Sequence, residues 1–367
     1  MKSNIQHKLI GCLLFFLPVA LHSQVWQNLR HEIETIIRYE TNITDDKIPG
    51  FVIGVVIEDS SYFFNFGDQE FITSHHLSEN SIFEIGSITN IFTALTLLEV
   101  EKKYGISLQD PITNFIIDYQ NEDLQKIKLE HLLTHTSGFP IRPNGFGASE
   151  MDSRNPFGYY SKDALLDFVK YYATTGPTSY LYSNTNYALL EIILEKVTGE
   201  SFPASFEKLV KNPLQLSDTG FNYPFHEILP GFDISGTLIK PWTYQSYEGA
   251  VGLKSSLADL AKFARYNFEG YNGPLSNTLP ELRKMRINTK VTTNTRVGLG
   301  WHGVSFKKYF PLIALGGVTG GHSSFIAIVP KTQTAVIILA TSPYEMDGLG
   351  FLILRMLNNN WKLKKDG

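Results

Sequence analysis

The chain has 367 residues, of which 43% are hydrophobic and 19% charged. That is an ordinary globular composition, long enough for a sizeable core and for two domains or one large domain with an insertion. The net charge of -4 gives no basic surface of the kind that nucleic acid or an anionic membrane calls for. The aromatic content of 13% suits a groove for sugar, peptide or lipid, and suits a large aromatic core at least as well.

Taken in chain order, the N-terminus reads as a targeting segment. Lys2 and Lys8 precede an apolar run from Leu9 to Leu21, and Ser23 offers a small residue for cleavage. The run is short for a transmembrane helix. Leu9-Ile10-Gly11-Cys12 matches a lipoprotein cleavage box in form, but most of the apolar run follows Cys12, where such a box should end it. Cys12 is the only cysteine. Cleavage after Ser23 therefore leaves no disulfide, thiol nucleophile or cysteine metal site. Residues 1–23 are read as a signal peptide and the product as exported, periplasmic or secreted, with no membrane span after cleavage.

Residues from about 25 to 45 have the spacing of an amphipathic helix, with Trp26, Leu29, Ile33, Ile36 and Ile37 on one stripe. Phe51–Glu58 and Ser61–Phe66 read as a hairpin turning at Asp59-Ser60. A helix begins at Ser87, buries Ile88, Ile91, Phe92, Leu95 and Leu98, and ends at Gly105. From about Leu108 to Ser246 the pattern is mostly helical, with clear helices over Asp163–Tyr172 and Tyr187–Thr198. A helix near Leu257–Asn267 follows. Strands are expected around Val297–Val304, Leu312–Leu315, Ser324–Val329 and Thr334–Ala340, then a helix from Met346 to Leu357. Strands at both ends and helices between them predict a mixed α/β domain from 24–107 and 251–367, interrupted by a mainly helical domain over 108–250. A cleft between two such lobes is a natural ligand site.

Three segments could carry chemistry. In Gly86-Ser87-Ile88-Thr89-Asn90 a serine opens a helix, where the dipole and a free N–H favour a nucleophile and its oxyanion. In Tyr182-Ser183-Asn184 a tyrosine could serve as a base if cations depress its pKa, and Asn184 could orient a substrate amide. In Leu315-Gly316-Gly317-Val318-Thr319-Gly320-Gly321-His322 the glycines let a ligand backbone approach a strand closely. Each alone has a plainer reading: an N-cap serine, a chance triplet, a glycine-rich turn.

Together, in order and spacing, they resemble the class C β-lactamase-like and penicillin-binding-protein-like serine hydrolases, a family that includes β-lactamases, D-alanyl-D-alanine peptidases, esterases and D-amino-acid amidases. Leu132-Leu133-Thr134-His135-Thr136-Ser137-Gly138, Tyr182-Ser183-Asn184-Thr185-Asn186-Tyr187, Gly252-Leu253-Lys254-Ser255-Ser256 and Gly298-Leu299-Gly300-Trp301 extend the resemblance over roughly residues 30 to 355. It implies a β-lactamase/transpeptidase-like fold: an antiparallel sheet flanked by helices, with a helical insertion. It also implies Ser87 as nucleophile, Tyr182 and Asn184 as its partners, and the N–H groups of Ser87 and Val318 as the oxyanion hole. The implied substrate is a small, peptide-like or ester molecule.

Two departures stand out. The family pattern S-x-x-K places a lysine at Asn90, and the third motif places a second cation at Leu315. With both gone, nothing evident lowers the pKa of Tyr182, and an asparagine is no useful proton acceptor. His322 stands where the family usually has an aromatic and is a candidate compensating base. Lys254 and Glu248 lie in a cleft-lining segment and read as solvated surface. His135 reads as structural. The histidines lack ligand spacing, so neither a metal nor a cofactor is implied. Three readings follow: a serine hydrolase with altered base chemistry, a pseudoenzyme that binds a cell-wall or other ligand in the same cleft, and an enzyme that uses the cleft without acylating Ser87.

Overall fold

The structure is a computed structural model that describes residues 6–44, 47–116, 119–144, 146, 154–305 and 310–363. Lys2, and the side chains of residues 6–22 that make up most of the expected targeting segment, lie outside what is described. The chain divides into two compact units, Met1–Ile43 and Thr44–Gly367.

The first unit is one helix, Gln6–Glu40. It begins well upstream of the amphipathic helix expected from about residue 25 and continues through Gly11 and Pro18 of the apolar run. Leu29, Ile33 and Ile36 are its buried stripe. Among the described residues, no helix is long and apolar enough to cross a membrane.

Among the described residues, the second unit carries twelve strands. The first three are β1 (Gly50–Ile57), β2 (Ser60–Gly67) and β3 (Phe83–Glu84). β4 (Gly231–Phe232), β5 (Leu238–Ile239) and β6 (Lys254–Ser255) lie in the middle of the chain. β7 (Ile287–Asn288), β8 (Thr295–Val297) and β9 (His302–Val304) lead into the three long strands β10 (Leu312–Val318), β11 (Ser323–Val329) and β12 (Thr334–Ala340). Eight of them form one antiparallel sheet in the order β2-β1-β12-β11-β10-β9-β8-β7. The N-terminal hairpin is thus sewn to the C-terminal meander, with Phe51 opposite Ala340 and Ile57 opposite Thr334. β11 and β12 are buried on both faces, which explains their continuous apolar character. The helices Leu257–Tyr266 and Asp347–Leu363 pack on the sheet.

Helices dominate between β3 and β6, chiefly Lys162–Tyr171, Asn184–Thr198 and Phe202–Phe206. The small hairpin β4–β5 was not expected there. The helix Thr89–Tyr104 is buried on almost every face and ends at Gly105, whose φ of +72° suits a glycine. Its Phe92 packs against Phe206 and Phe263, with ring centroids 6.0 and 4.5 Å away. One hydrophobic core therefore runs from the helical middle to the sheet.

The single strand expected over Val297–Val304 is broken in two. Gly300 has a φ of +86°, and a Cβ there would lie 2.9 Å from the Cα of Ile91. Only a glycine lets this bend press against the helix that follows Ser87. Gly298 N–H donates to Trp301 O at 2.8 Å and closes the turn.

Candidate active site

Ser87 sits in a 3-10 turn, Gly86–Ile88, just ahead of the helix Thr89–Tyr104. It does not cap that helix: the N-cap position is Ile88, without a side-chain bond. Thr89 fastens the turn instead. Its hydroxyl donates to Gly86 O at 2.6 Å and accepts from Leu253 N–H at 3.1 Å. The Ser87 hydroxyl is left half-buried beside Tyr182, close enough to favour its ionised form.

Tyr182 is held from behind. Ser183 donates to Pro140 O at 2.7 Å, and its N–H donates to His135 Nδ1 at 3.1 Å. The ring of His135 lies against that of Tyr182 at 4.5 Å. Burial pulls the His135 pKa down to about 3, so the ring is neutral, as a structural role requires. Asn90, 0% exposed, donates from Nδ2 to the Tyr182 hydroxyl at 3.2 Å. Burial raises the pKa of Tyr182, and the hydrogen bonds from Ser87 and Asn90 offset this only in part. Tyr182 is therefore a phenol at neutral pH, with no cation among the causes of its shift. The Oδ1 atoms of Asn90 and Asn184 are buried without hydrogen-bond partners.

The third segment meets the first at the end of β10. A Cβ on Gly317 would lie 2.8 Å from Ser87 N, and one on Gly86 would lie 2.7 Å from Val318 N. Gly86 also has a φ of +49°. Ser324 Oγ on β11 donates to Ile85 O at 2.8 Å and holds the seam. Ser87, Asn90, Tyr182 and Val318 thus come together, and Asn184 begins the helix two residues after Tyr182. Leu315 is 7% exposed and belongs to the hydrophobic core.

His322 is not placed to act as a base. It is 1% exposed, with Nδ1 facing Glu84 Oε2 at 3.3 Å and Nε2 facing Leu229 O at 3.1 Å. Both nitrogens are engaged, so no lone pair is free for a serine proton. The solvated reading of Lys254 also gives way. Lys254 is 6% exposed, donates to Phe221 O at 3.1 Å and lies over the ring of Tyr244 at 5.2 Å. Glu248 is mostly buried, and desolvation raises its pKa. Sequence reasoning missed Glu84, a buried carboxylate three residues before Ser87. A charge inside the apolar run Ile82-Phe83-Glu84-Ile85 was the available signal. Among the described residues, no cluster of three or more His, Cys, Asp or Glu could hold a metal ion.

The beta-lactamase family model matches residues 33–355. The chain belongs to the beta-lactamase family. It is accordingly a serine hydrolase of the beta-lactamase family by sequence and fold. A beta-lactamase of Escherichia coli K12 is 23% identical over 338 residues, covering 82% of this chain and 86% of that protein. Penicillin-binding protein 4* of Bacillus subtilis is 28% identical over 195 residues, covering 53% of this chain and 42% of its own length. Among solved structures, a beta-lactamase/D-alanine carboxypeptidase from Pseudomonas syringae aligns with a TM-score of 0.74 at 22% identity, over 90% of this chain and 99% of the other. A class C beta-lactamase from Rhodobacter sphaeroides aligns with a TM-score of 0.75 at 19% identity, over the same shares. At such identity the structural likeness bears on the fold, which is that of a beta-lactamase-family protein.

Proposed function

We propose that this chain is an exported serine hydrolase that acts on a small ester, amide or peptide-like substrate through Ser87, with weakened general-base chemistry. In this reading Ser87 Oγ attacks the substrate carbonyl and forms an acyl-enzyme. The N–H groups of Ser87 and Val318 take the oxyanion. In the small ionised fraction, the Tyr182 phenolate receives the serine proton and passes it to the leaving group, Asn184 orients the substrate, and water releases the acyl group. The observation that carries the reading is the close approach of the Ser87 and Val318 amides, shown by Gly317 against Ser87 N and Gly86 against Val318 N, with Ser87 not spent on capping its helix and lying beside Tyr182.

The weakness lies in the base. An ordinary tyrosine is ionised in about one molecule in a thousand at neutral pH, a deficit of roughly 4 kcal/mol. Tyr182 is raised further by burial. Asn90 and Leu315, where the sequence pattern expects cations, supply no charge to reverse this. That same observation favours a second reading, a pseudoenzyme that binds its ligand without turnover.

Incubating the protein with a fluorophosphonate and a fluorescent penicillin, then measuring mass added at Ser87, separates the two. The hydrolase reading expects a fluorophosphonate adduct that Ser87→Ala abolishes. No adduct with either probe rejects it. Labelling gained only in an Asn90→Lys, Leu315→Lys double variant supports the pseudoenzyme.

A further inference from the structure

The cluster around Glu84 lies outside the reacting groups, yet it touches both strands that carry the site. Glu84 Oε1 accepts from Trp242 N–H at 2.8 Å. Glu84 Oε2 accepts from Thr319 Oγ1 at 3.0 Å and faces His322 Nδ1 at 3.3 Å. Thr319 and His322 close the turn between β10 and β11: Thr319 N–H donates to His322 O at 2.8 Å, and His322 N–H donates to Thr319 Oγ1 at 3.2 Å. Val318 is the residue immediately before this turn, and Ser87 follows Glu84 by three residues. One buried carboxylate therefore joins the two backbone segments whose amides would hold an oxyanion.

The ring chemistry fixes how His322 is held. A carbonyl can only accept, so His322 Nε2 must donate to Leu229 O. Nδ1 faces a carboxylate whose pKa is lowered despite burial, through the hydrogen bond and charge of His322, the Trp242 N–H and the charge of Lys254. Both ring nitrogens are therefore held, one by the Leu229 carbonyl and one by the Glu84 carboxylate. A buried polar cluster of this kind costs much in desolvation and adds little net stability compared with an apolar filling. An aromatic at position 322 would fill the same space against Phe83, whose ring lies edge-on to His322 at 5.7 Å. What the pair adds is direction, because the carboxylate bonds only when Thr319, His322 and Trp242 stand where they do.

We propose that Glu84 and His322 are positioning residues that hold the Val318 amide in register with the Ser87 amide. The proposal rests on the hydrolase reading for its chemical consequence, but its structural content can be tested without turnover.

Hydrogen exchange read by mass spectrometry on the full chain would compare the parent with Glu84→Gln, His322→Phe and the double variant. Protection of segments 85–88 and 317–322 should fall together, by about tenfold or more, in each single variant. The double variant should be no worse than the worse single one, since the two residues act as one unit. The second-order rate of Ser87 labelling by a neutral fluorophosphonate should fall about 10- to 100-fold in parallel. If His322→Phe does not fold, His322→Gln replaces it, since it can still donate to Glu84 but carries no charge. Unchanged exchange, or loosening of only one of the two segments, overturns the clasp. Loosening of both with an unchanged labelling rate overturns its positioning role. A parent that is not labelled at all rejects the hydrolase reading alone and leaves the exchange result to decide the clasp.

Discussion

Gly317→Ala is the sharpest test of how the site is assembled. A methyl group at this position would lie 2.7 Å from Ser324 Oγ and 2.8 Å from Ser87 N, and closer still to Ile85 O. Contacts of carbon with backbone polar atoms need roughly 3.3 Å. The Ser324 hydroxyl can rotate, but the backbone of Ile85 and Ser87 cannot. The contact with Ile85 O is the tightest, so β10 must retreat by about 1 Å from the nucleophile turn. Forced overpacking of this kind costs about 1–3 kcal/mol. A misplacement of about 1 Å costs about 100-fold in rate, and a loss of that order is expected in Ser87 labelling. Chemical denaturation and fluorophosphonate labelling measure the two effects. The control is Gly316→Ala, whose methyl group faces the opposite side of the strand and whose nearest neighbour is the Asp347 carboxylate at 2.7 Å, a side chain rather than backbone. If Gly317→Ala matches the parent in stability, or Gly316→Ala is the more damaging of the two, the seam between β10 and the nucleophile turn is misread.

Other outcomes follow from buried charge. Glu191 is fully buried beside Lys162, whose Nζ lies 2.9 Å away, and accepts from Gly249 N–H at 3.0 Å. Burial pushes its pKa up from 4.5 to about 7. The folded state then binds the proton more tightly than the unfolded state. The stability this group contributes is complete below about pH 4.5 and lost as pH rises through about 7, a change of about 3 kcal/mol that Glu191→Gln should flatten in denaturation curves across that window. His302, bonded to Tyr180 at 2.7 Å, is pulled by burial from 6.5 down to about 4. Its contribution is present above about pH 6.5 and fades as pH falls through about 4, so His302→Phe should lessen acid destabilisation in that range. Asn90→Ala removes the donor to Tyr182 and should raise the tyrosine pKa further, slowing labelling of Ser87 at pH 8. Faster labelling would show that Asn90 restrains the serine rather than supporting it.

The long strands and helices were legible because their periodicity is strong and nothing local opposes it. β11, β12 and the helix Asn184–Thr198 appear almost where the apolar runs place them. The break at Gly298–Trp301 was hidden because it answers a tertiary demand, the close approach to Ile91, which leaves no mark on the strand pattern. The meeting of Ser87, Asn90, Tyr182 and Val318 came from motif order, not from periodicity. The fates of His322 and Lys254 could not be read at all. A histidine and a lysine look alike in sequence whether they face solvent or a buried carboxylate, and only the fold brings Glu84 to His322 across 238 residues of chain.

The sheet order has a consequence for how the molecule is made. β1 is synthesised early, but its partner β12 lies near the other end, and the bond from Gly50 N–H to Thr341 Oγ1 spans 291 positions. Pairing across such a distance is slow and leaves the first hairpin with an open edge until the last strands arrive. A nascent chain holding Ser87 but not yet β10 has a serine without a pocket, so reactivity is withheld until synthesis is nearly complete. An edge that cannot be satisfied early keeps the chain open until its last strands are made.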